Sequence, residues 1–275
     1  MWEKYVFDKQ VIRELARDYK MDRRTIRDYL DQYTNKEKVH NPRPVHLVVD
    51  ALYFGERKED TGWCIVVFRD PENQENLYWS FHDTETTKCY REGRIYLESL
   101  GYTILSVTGD GFSGIRQAFT GIPYQMCLVH MKRIVVKGTT MNPQTEAGQV
   151  LLHLTESLFN TSRYRFEKRL NQYEEQYKSF LYEKTIHRPG EWSYTHEGVL
   201  QAFKSLKRLL PYLFTYEGDE KIHRDTNSLE GHFRHVEDIT AIHCGAPRSS
   251  MEKILTTIAH ASTIAPNPKL VRKIL

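Results

Sequence analysis

The chain has 275 residues, longer than a typical single domain, and predicts one large domain with a smaller companion. Hydrophobic residues at 40% and charged residues at 27% exclude a disordered chain, and a net charge of +3 excludes the strongly basic balance that announces nucleic acid by itself. The four cysteines (Cys64, Cys89, Cys127, Cys244) form no CxxC pair, which argues against a disulfide scaffold and a zinc finger and fits a reducing compartment. The start, "MWEKYVFDKQ", is charged and lacks a signal core, and no run approaches the roughly 18 apolar residues of a membrane span. The expectation is a cytoplasmic protein; with a net charge of only +3, any DNA contact must come from basic residues arranged locally.

In chain order, residues 7–33 read as two short helices. Val11, Ile12, Leu15 and Ala16 give the first its inner face, Tyr19-Lys20-Met21 a tight turn, Asp22 an N-cap, and Ile26 and Leu30 anchor the second. This spacing predicts a helix-turn-helix with Arg23, Arg24, Thr25 and Arg27 at the start of the recognition helix, where such motifs meet bases and phosphates. An amphipathic hairpin packed on its own domain is the bland alternative. "TNKEKVHNPRP", 34–44, is polar with two prolines and reads as a linker.

A strand over Val45–Phe54 carries Asp50 amid β-branched residues, where an acid is costly unless compensated. "GWCIVVFRD" and "ENLYWSFH" read as two more strands, joined by "DPENQE" into an antiparallel meander. A helix over 86–100, with Ile95, Tyr96 and Leu100 on one side, leads to a fourth strand ending in Gly109-Asp110-Gly111. A short helix over 113–119 and a fifth strand in "IPYQMCLVH" follow, and from about residue 128 the pattern is helical to the end.

This order resembles the ribonuclease H-like fold, an α/β mixed sheet in which strands one and four are neighbours. Asp50 and Asp110 would then be close and would repel unless cations neutralised them, which suits Mg2+. The helix "TNSLEGHFRHV" supplies a third acid. At about 100° per residue Leu229, Phe233 and Val236 make its apolar stripe, while Asn227, Glu230 and Arg234 share a neighbouring one. Alone, Asp50 reads equally as a satisfied strand acid, Asp110 as a turn former and Glu230 as a solvated helix residue. Together they describe a two-metal site for attack on a phosphodiester.

"VVDALYFG", "TGDGFSGI", "QMCLVH" and "TNSLEGHFRHV", in that order, resemble the DDE transposases of bacterial insertion sequences of the Mutator-like type, over roughly 45–240. The resemblance implies that Asp50, Asp110 and Glu230 are the catalytic triad and hold two Mg2+ ions, with Mn2+ as substitute. It also implies cleavage at the element ends, 3′-hydroxyl strand transfer into target DNA, and a homodimer or larger assembly on terminal inverted repeats, working in the bacterial cytoplasm at the nucleoid. A nuclease or junction resolvase of the same fold that cuts without joining, and a domesticated non-catalytic DNA-binding protein, are the alternatives. The 120 positions between Asp110 and Glu230 exceed what a plain core needs and in the family hold a helical insertion. Here Leu151, Leu154, Leu158, Phe166, Leu170, Tyr173 and Tyr177 keep helical periodicity, and "HEGVLQAFKSLKRLLPYLF" adds a helix that Pro211 ends or kinks.

Cys127 and His130 match the family's CxxH signature. A helix starting at Leu128 would aim His130 towards the acids, and a buried structural pair is the other reading. His232 and His235 are expected as phosphate contacts or surface residues. Arg163, Arg165, Lys168 and Arg169, interleaved with Tyr164 and Phe166, read as a DNA-tracking surface or a solvated face, and Trp192 in the loop "RPGEWSY" as a residue that stacks on a base. Asn227 and Arg234 would position DNA or the acid. The domain plan is a helix-turn-helix over 1–33, a linker over 34–44, a catalytic domain over 45–135 and 222–245, an insertion over 136–221 and a C-terminal helical tail over 246–275.

Overall fold

The computed structural model describes residues 1–55, 62–188 and 190–261. The part of the expected helical tail beyond 261, and Pro189 of the expected loop, lie outside the described residues. The chain forms two compact units, Met1–Leu105 with the chain from Asn227 onward, and Ser106–Thr226.

The first unit begins with three helices, α1 (Trp2–Val6), α2 (Ile12–Tyr19) and α3 (Arg23–Gln32). Lys20 closes α2 in the left-handed region (φ 55°), and Asp22 caps α3 by accepting from the Arg24 and Thr25 amides, both at 2.9 Å. The turn and the cap fall where the sequence predicted them; α1 is an addition. Strands β1 (Pro44–Phe54), β2 (Trp63–Asp70) and β3 (Glu75–His82) follow as an antiparallel meander, with Asp50 opposite Val67 and Val67 opposite Trp79. Helix α4 (Thr87–Ser99) precedes β4 (Thr103–Gly109), and the five-stranded mixed sheet, in the order β3-β2-β1-β4-β5, is completed by β5 (Tyr124–Met126), parallel to β4.

Every residue of β2 is buried, because helices cover both faces of this part of the sheet. On one face Val48, Ile65 and Val67 join a core with Leu15, Ile26 and Leu30 of α2 and α3, with Leu229, Phe233, Val236 and Ile239 of α10 (Asn227–Thr240), and with Ile254 and Leu255 of α11 (Arg248–Ala261). The N-terminal helices are therefore packed into the sheet's own core, where the sequence suggested a module on a linker. Segment 34–44 is fastened as well: Arg43 bonds Asp70 at 2.6 Å, and the Asn35 amide donates to the Lys253 carbonyl at 3.1 Å. These partners lie far away in sequence, so its polar composition does not reveal them.

On the other face α4 buries Cys89, Tyr90, Gly93 and Leu97, while Ile95 and Tyr96 are 57% and 41% exposed. The side of the helix that carries Ile95 and Tyr96 is thus its outer one. The cause is Gly93: a Cβ there would lie within 2.8 Å of the Phe68 and Tyr78 rings, so the helix turns its smallest residue to the sheet.

In the second unit α5 (Ser113–Ala118), α6 (Leu128–Thr139), α7 (Glu146–Glu156), α8 (Arg163–Leu181) and α9 (Glu197–Leu209) form a helical body. The predicted stripe Leu151 to Tyr177 is buried throughout, and the helix before Pro211 ends at Leu209 in a 3-10 turn. The expected loop around Trp192 is instead part of a hairpin of β6 (Lys184–Arg188) and β7 (Glu191–Tyr194).

Candidate functional site

Each proposed acid stands on a separate element. Asp50 is half-buried in β1, with Oδ1 accepting from the Ala51 amide at 2.9 Å. By strand alternation it shares a face with Val48 and Leu52, the face that packs against Leu229 and Phe233. Glu230 belongs to the first turn of α10, beside Leu229, and is half-buried. The helix presents Leu229, Phe233 and Val236 to the core as predicted, with Asn227 and Arg234 exposed. Asp50 and Glu230 are thus carried by elements that share one core.

Asp110 follows β4 in the second unit and accepts from the Phe112 amide at 2.9 Å. Gly111 adopts φ +98°, and a Cβ on it would meet Met126 Sδ at 2.8 Å, so glycine is required to turn the chain here. The Gly111 amide donates to the Tyr124 hydroxyl at 3.0 Å; burial first, and the nearby Asp110 charge second, raise the pKa of that phenol. Arg116 lies over the Tyr212 ring at 5.0 Å and donates to the Gly111 carbonyl at 3.1 Å, bringing one cation to the loop that bears Asp110.

Carboxylate oxygens are the donors a hard divalent ion takes, so the chemistry of the three acids suits Mg2+. Among the described residues no group of three His, Cys, Asp or Glu side chains is gathered to hold a metal ion.

The CxxH pair has a local role within the second unit. Cys127 caps α6, its Sγ accepting from the His130 amide at 3.5 Å and lying 3.5 Å from the Thr226 hydroxyl, which in turn is 3.3 Å from His130 Nδ1. Burial raises the thiol pKa, leaving Cys127 a weak ligand and a weak nucleophile. The Leu128 amide donates to the Arg224 carbonyl at 2.9 Å, so both backbone and side chains tie the start of α6 to the residues just before α10. Thr226, fully buried, joins the Cys127–His130 pair and was passed over by sequence reasoning. Its signal was its place at the head of "TNSLEG".

The expectation for His232 is corrected. It is 8% exposed, and its Nε2 meets Asn76 Nδ2 at 3.1 Å. The same amide donates to the Ala259 carbonyl at 3.1 Å, and Asn76 Oδ1 accepts from buried Arg69 at 2.7 Å. Burial, then the Arg69 and His235 charges, push the His232 pKa down to about 3. A histidine with its pKa lowered below the unfolded value stabilises the fold above pH ~6.5 and loses that contribution as the pH falls towards the folded pKa. Below pH ~6.5 each pH unit should therefore cost up to about 1.4 kcal/mol through this residue. His232→Gln should flatten the dependence of unfolding free energy on pH between neutral and pH ~5; unchanged slopes in urea titrations would show that His232 is not the group responsible. His235 is exposed, as expected.

Of the proposed DNA contacts, Arg23, Arg24 and Arg27 are exposed on α3, while the Thr25 hydroxyl is engaged with Asp22 at 2.7 Å. Arg163, Arg165, Lys168 and Arg169 are exposed on α8; Tyr164 is 76% exposed, and Phe166 is core. Trp192 is 48% exposed, with the Lys184 ammonium 3.7 Å from its ring centroid. Among the described residues no helix is long and apolar enough to cross a membrane.

The structure is a mixed α/β sheet flanked by helices, and a family comparison identifies the class of protein as a transposase. The model described as "Transposase IS66 family" matches residues 48–237, more than half of the chain. The chain belongs to the IS66 transposase family, whose members are enzymes acting on DNA. The match names this family where the four motifs suggested the Mutator-like type. No curated protein matches the chain.

Proposed function

We propose that the chain is a DDE-type polynucleotidyl transferase of ribonuclease H-like fold, which cleaves DNA at the ends of an insertion sequence and joins the freed 3′-hydroxyl to target DNA. Asp50, Asp110 and Glu230 would hold two Mg2+ ions, or Mn2+ in their place. Bound there, the ions supply the charge that activates the attacking hydroxyl and stabilises the leaving oxygen. The observation that carries this reading is that Asp50 and Glu230, 180 residues apart in sequence, stand on β1 and α10, two elements that share one core within the matched region.

The chain's own residues bind and orient the DNA. Exposed Arg163, Arg165, Lys168 and Arg169 follow the phosphate backbone, Trp192 offers a stacking surface, and the helix-turn-helix with Arg23, Arg24, Thr25 and Arg27 contacts the inverted repeats. Cys127, His130 and Thr226 fix the chain where it enters α10, and Asn227 and Arg234 flank Glu230 on the exposed side of that helix. Two copies would bridge two element ends.

The test incubates the protein with Mg2+ and duplex DNA from the flanks of its own gene. Cleavage at the repeat end together with joined product is the expected result. Cleavage without joining would replace the proposal by a nuclease, and binding without chemistry by a DNA-binding protein.

A further inference from the structure

The first unit holds a cavity of about 550 Å³ between α2, α3 and the residues that connect α10 to α11. Arg13 of α2 and Arg23 and Arg27 of α3 line it, with Lys253 of α11 and the aromatic side chains of Trp2 and Tyr5. Among the described residues none of these three guanidiniums has an acid or a hydrogen-bond acceptor. Lys253 is engaged with the Asp31 carbonyl, and Asp31 is the acid on the wall. Trp2 is held rigidly, stacked on Tyr33 at 4.3 Å with its indole N–H donating to Thr257 at 2.9 Å.

Three like charges around one concavity, with Asp31 the single acid among the lining residues, favour a ligand that brings negative charge, and the guanidinium fork matches phosphate oxygens. The volume lies within the roughly 300–1,000 Å³ of small-ligand sites, whereas a duplex presents a major groove about 12 Å wide. Arg23 and Arg27, one helical turn apart, face the cavity; Arg24 does not line it. Two of the three arginines of α3 thus line this pocket while remaining exposed to solvent, and the third lies outside it.

We propose that this cleft binds one unpaired phosphorylated nucleotide, with its phosphate between Arg13, Arg23 and Arg27 and its base against Trp2 and Tyr5. The ligand is either the terminal nucleotide of a frayed or cut DNA strand or a free nucleotide. The strand-end source rests on the reading of the N-terminal helices as a DNA contact; the pocket chemistry does not.

The experiment measures binding by the full chain in EDTA, so that no strand chemistry intervenes. Fluorescence anisotropy compares a blunt duplex with the same duplex bearing a short 5′-phosphorylated overhang, with dTMP as competitor. The overhang should bind more tightly, and Arg23→Gln and Arg27→Gln should each weaken it about tenfold and remove its advantage over the blunt duplex. Ser250→Phe, which fills the cleft from α11 without altering charge, should weaken it likewise, whereas Arg24→Gln, outside the cleft, should leave the overhang's advantage over the blunt duplex in place. Unfolding midpoints verify that the variants fold. Competition by dTMP assigns the site to free nucleotides as well; retained overhang preference without competition assigns it to strand ends. Equal losses for Arg24→Gln and Arg27→Gln on both DNAs, or full overhang binding by Ser250→Phe, would overturn the proposal. dTMP binding that depends on Arg23 and Arg27, with no DNA binding at all, would keep the cleft and discard the helix-turn-helix reading.

Discussion

Glu230→Gln should lower DNA strand cleavage by about 10²–10³-fold or more, the cost of removing one preorganised group at the site of developing charge. The side chain is half-buried in the first turn of a helix whose other face is core, so the amide fits the same space and the fold should be kept. DNA affinity in EDTA and the unfolding midpoint are expected to match the parent, which separates a catalytic carboxylate from a structural one. Asp110→Asn and Asp50→Asn should behave alike, and a combined variant should lose little more than any single one, because the acids act as a unit. Cleavage by Glu230→Gln at the parental rate would return Glu230 to an ordinary helix acid. Its neighbour offers a companion test: nothing lies within 4 Å of a Cβ built on Gly231, so packing does not demand glycine there. Gly231→Ala should raise stability by about 1 kcal/mol through helix propensity, and lower cleavage if DNA uses the open space beside Glu230.

The second large effect is on folding. At the crossing of α6 and α9, Gly138 and Gly198 face each other: a Cβ on Gly138 would lie 2.9 Å from Ala202 Cβ and nearer still to the Gly198 carbonyl oxygen, and one on Gly198 would lie 2.5 Å from the Gly138 carbonyl oxygen. The nearest obstacle in each case is backbone, which cannot rotate aside as a side chain can. Gly138→Ala should therefore reverse the usual gain of about 1 kcal/mol from replacing a helix glycine, and Gly138→Val should destabilise by about 3 kcal/mol or more as the helices separate. Urea unfolding of the purified chain measures both. A Gly138→Val variant as stable as the parent would mean that the helices slide apart at no cost.

Much of the molecule is set by periodicity along the chain. The meander β1–β3, the start of α6 at Leu128, the cap at Asp22, the stripe from Leu151 to Tyr177 and the core face of α10 were all legible, because each depends on residues within a turn or a strand of one another. The three acids were legible as residue types in an order, and the class of protein followed from the motifs around them. What the sequence could not reveal are partnerships between distant residues. Asn76 and His232 meet across 156 positions, and Trp2 and Thr257 across 255. Local patterning therefore did not reveal that His232 is buried, that Arg43 and Asn35 of segment 34–44 bond Asp70 and Lys253, or that the N-terminal helices share a core with the sheet. The inner face of α4 was likewise decided by the Phe68 and Tyr78 rings that Gly93 must clear, and the cleft by three arginines whose pairing state is invisible in one dimension. Sequence alone determined the elements, the candidate acids and the class; tertiary structure decided which faces are buried and which charges lack a partner, because burial and charge compensation depend on atoms that come together only when the chain folds.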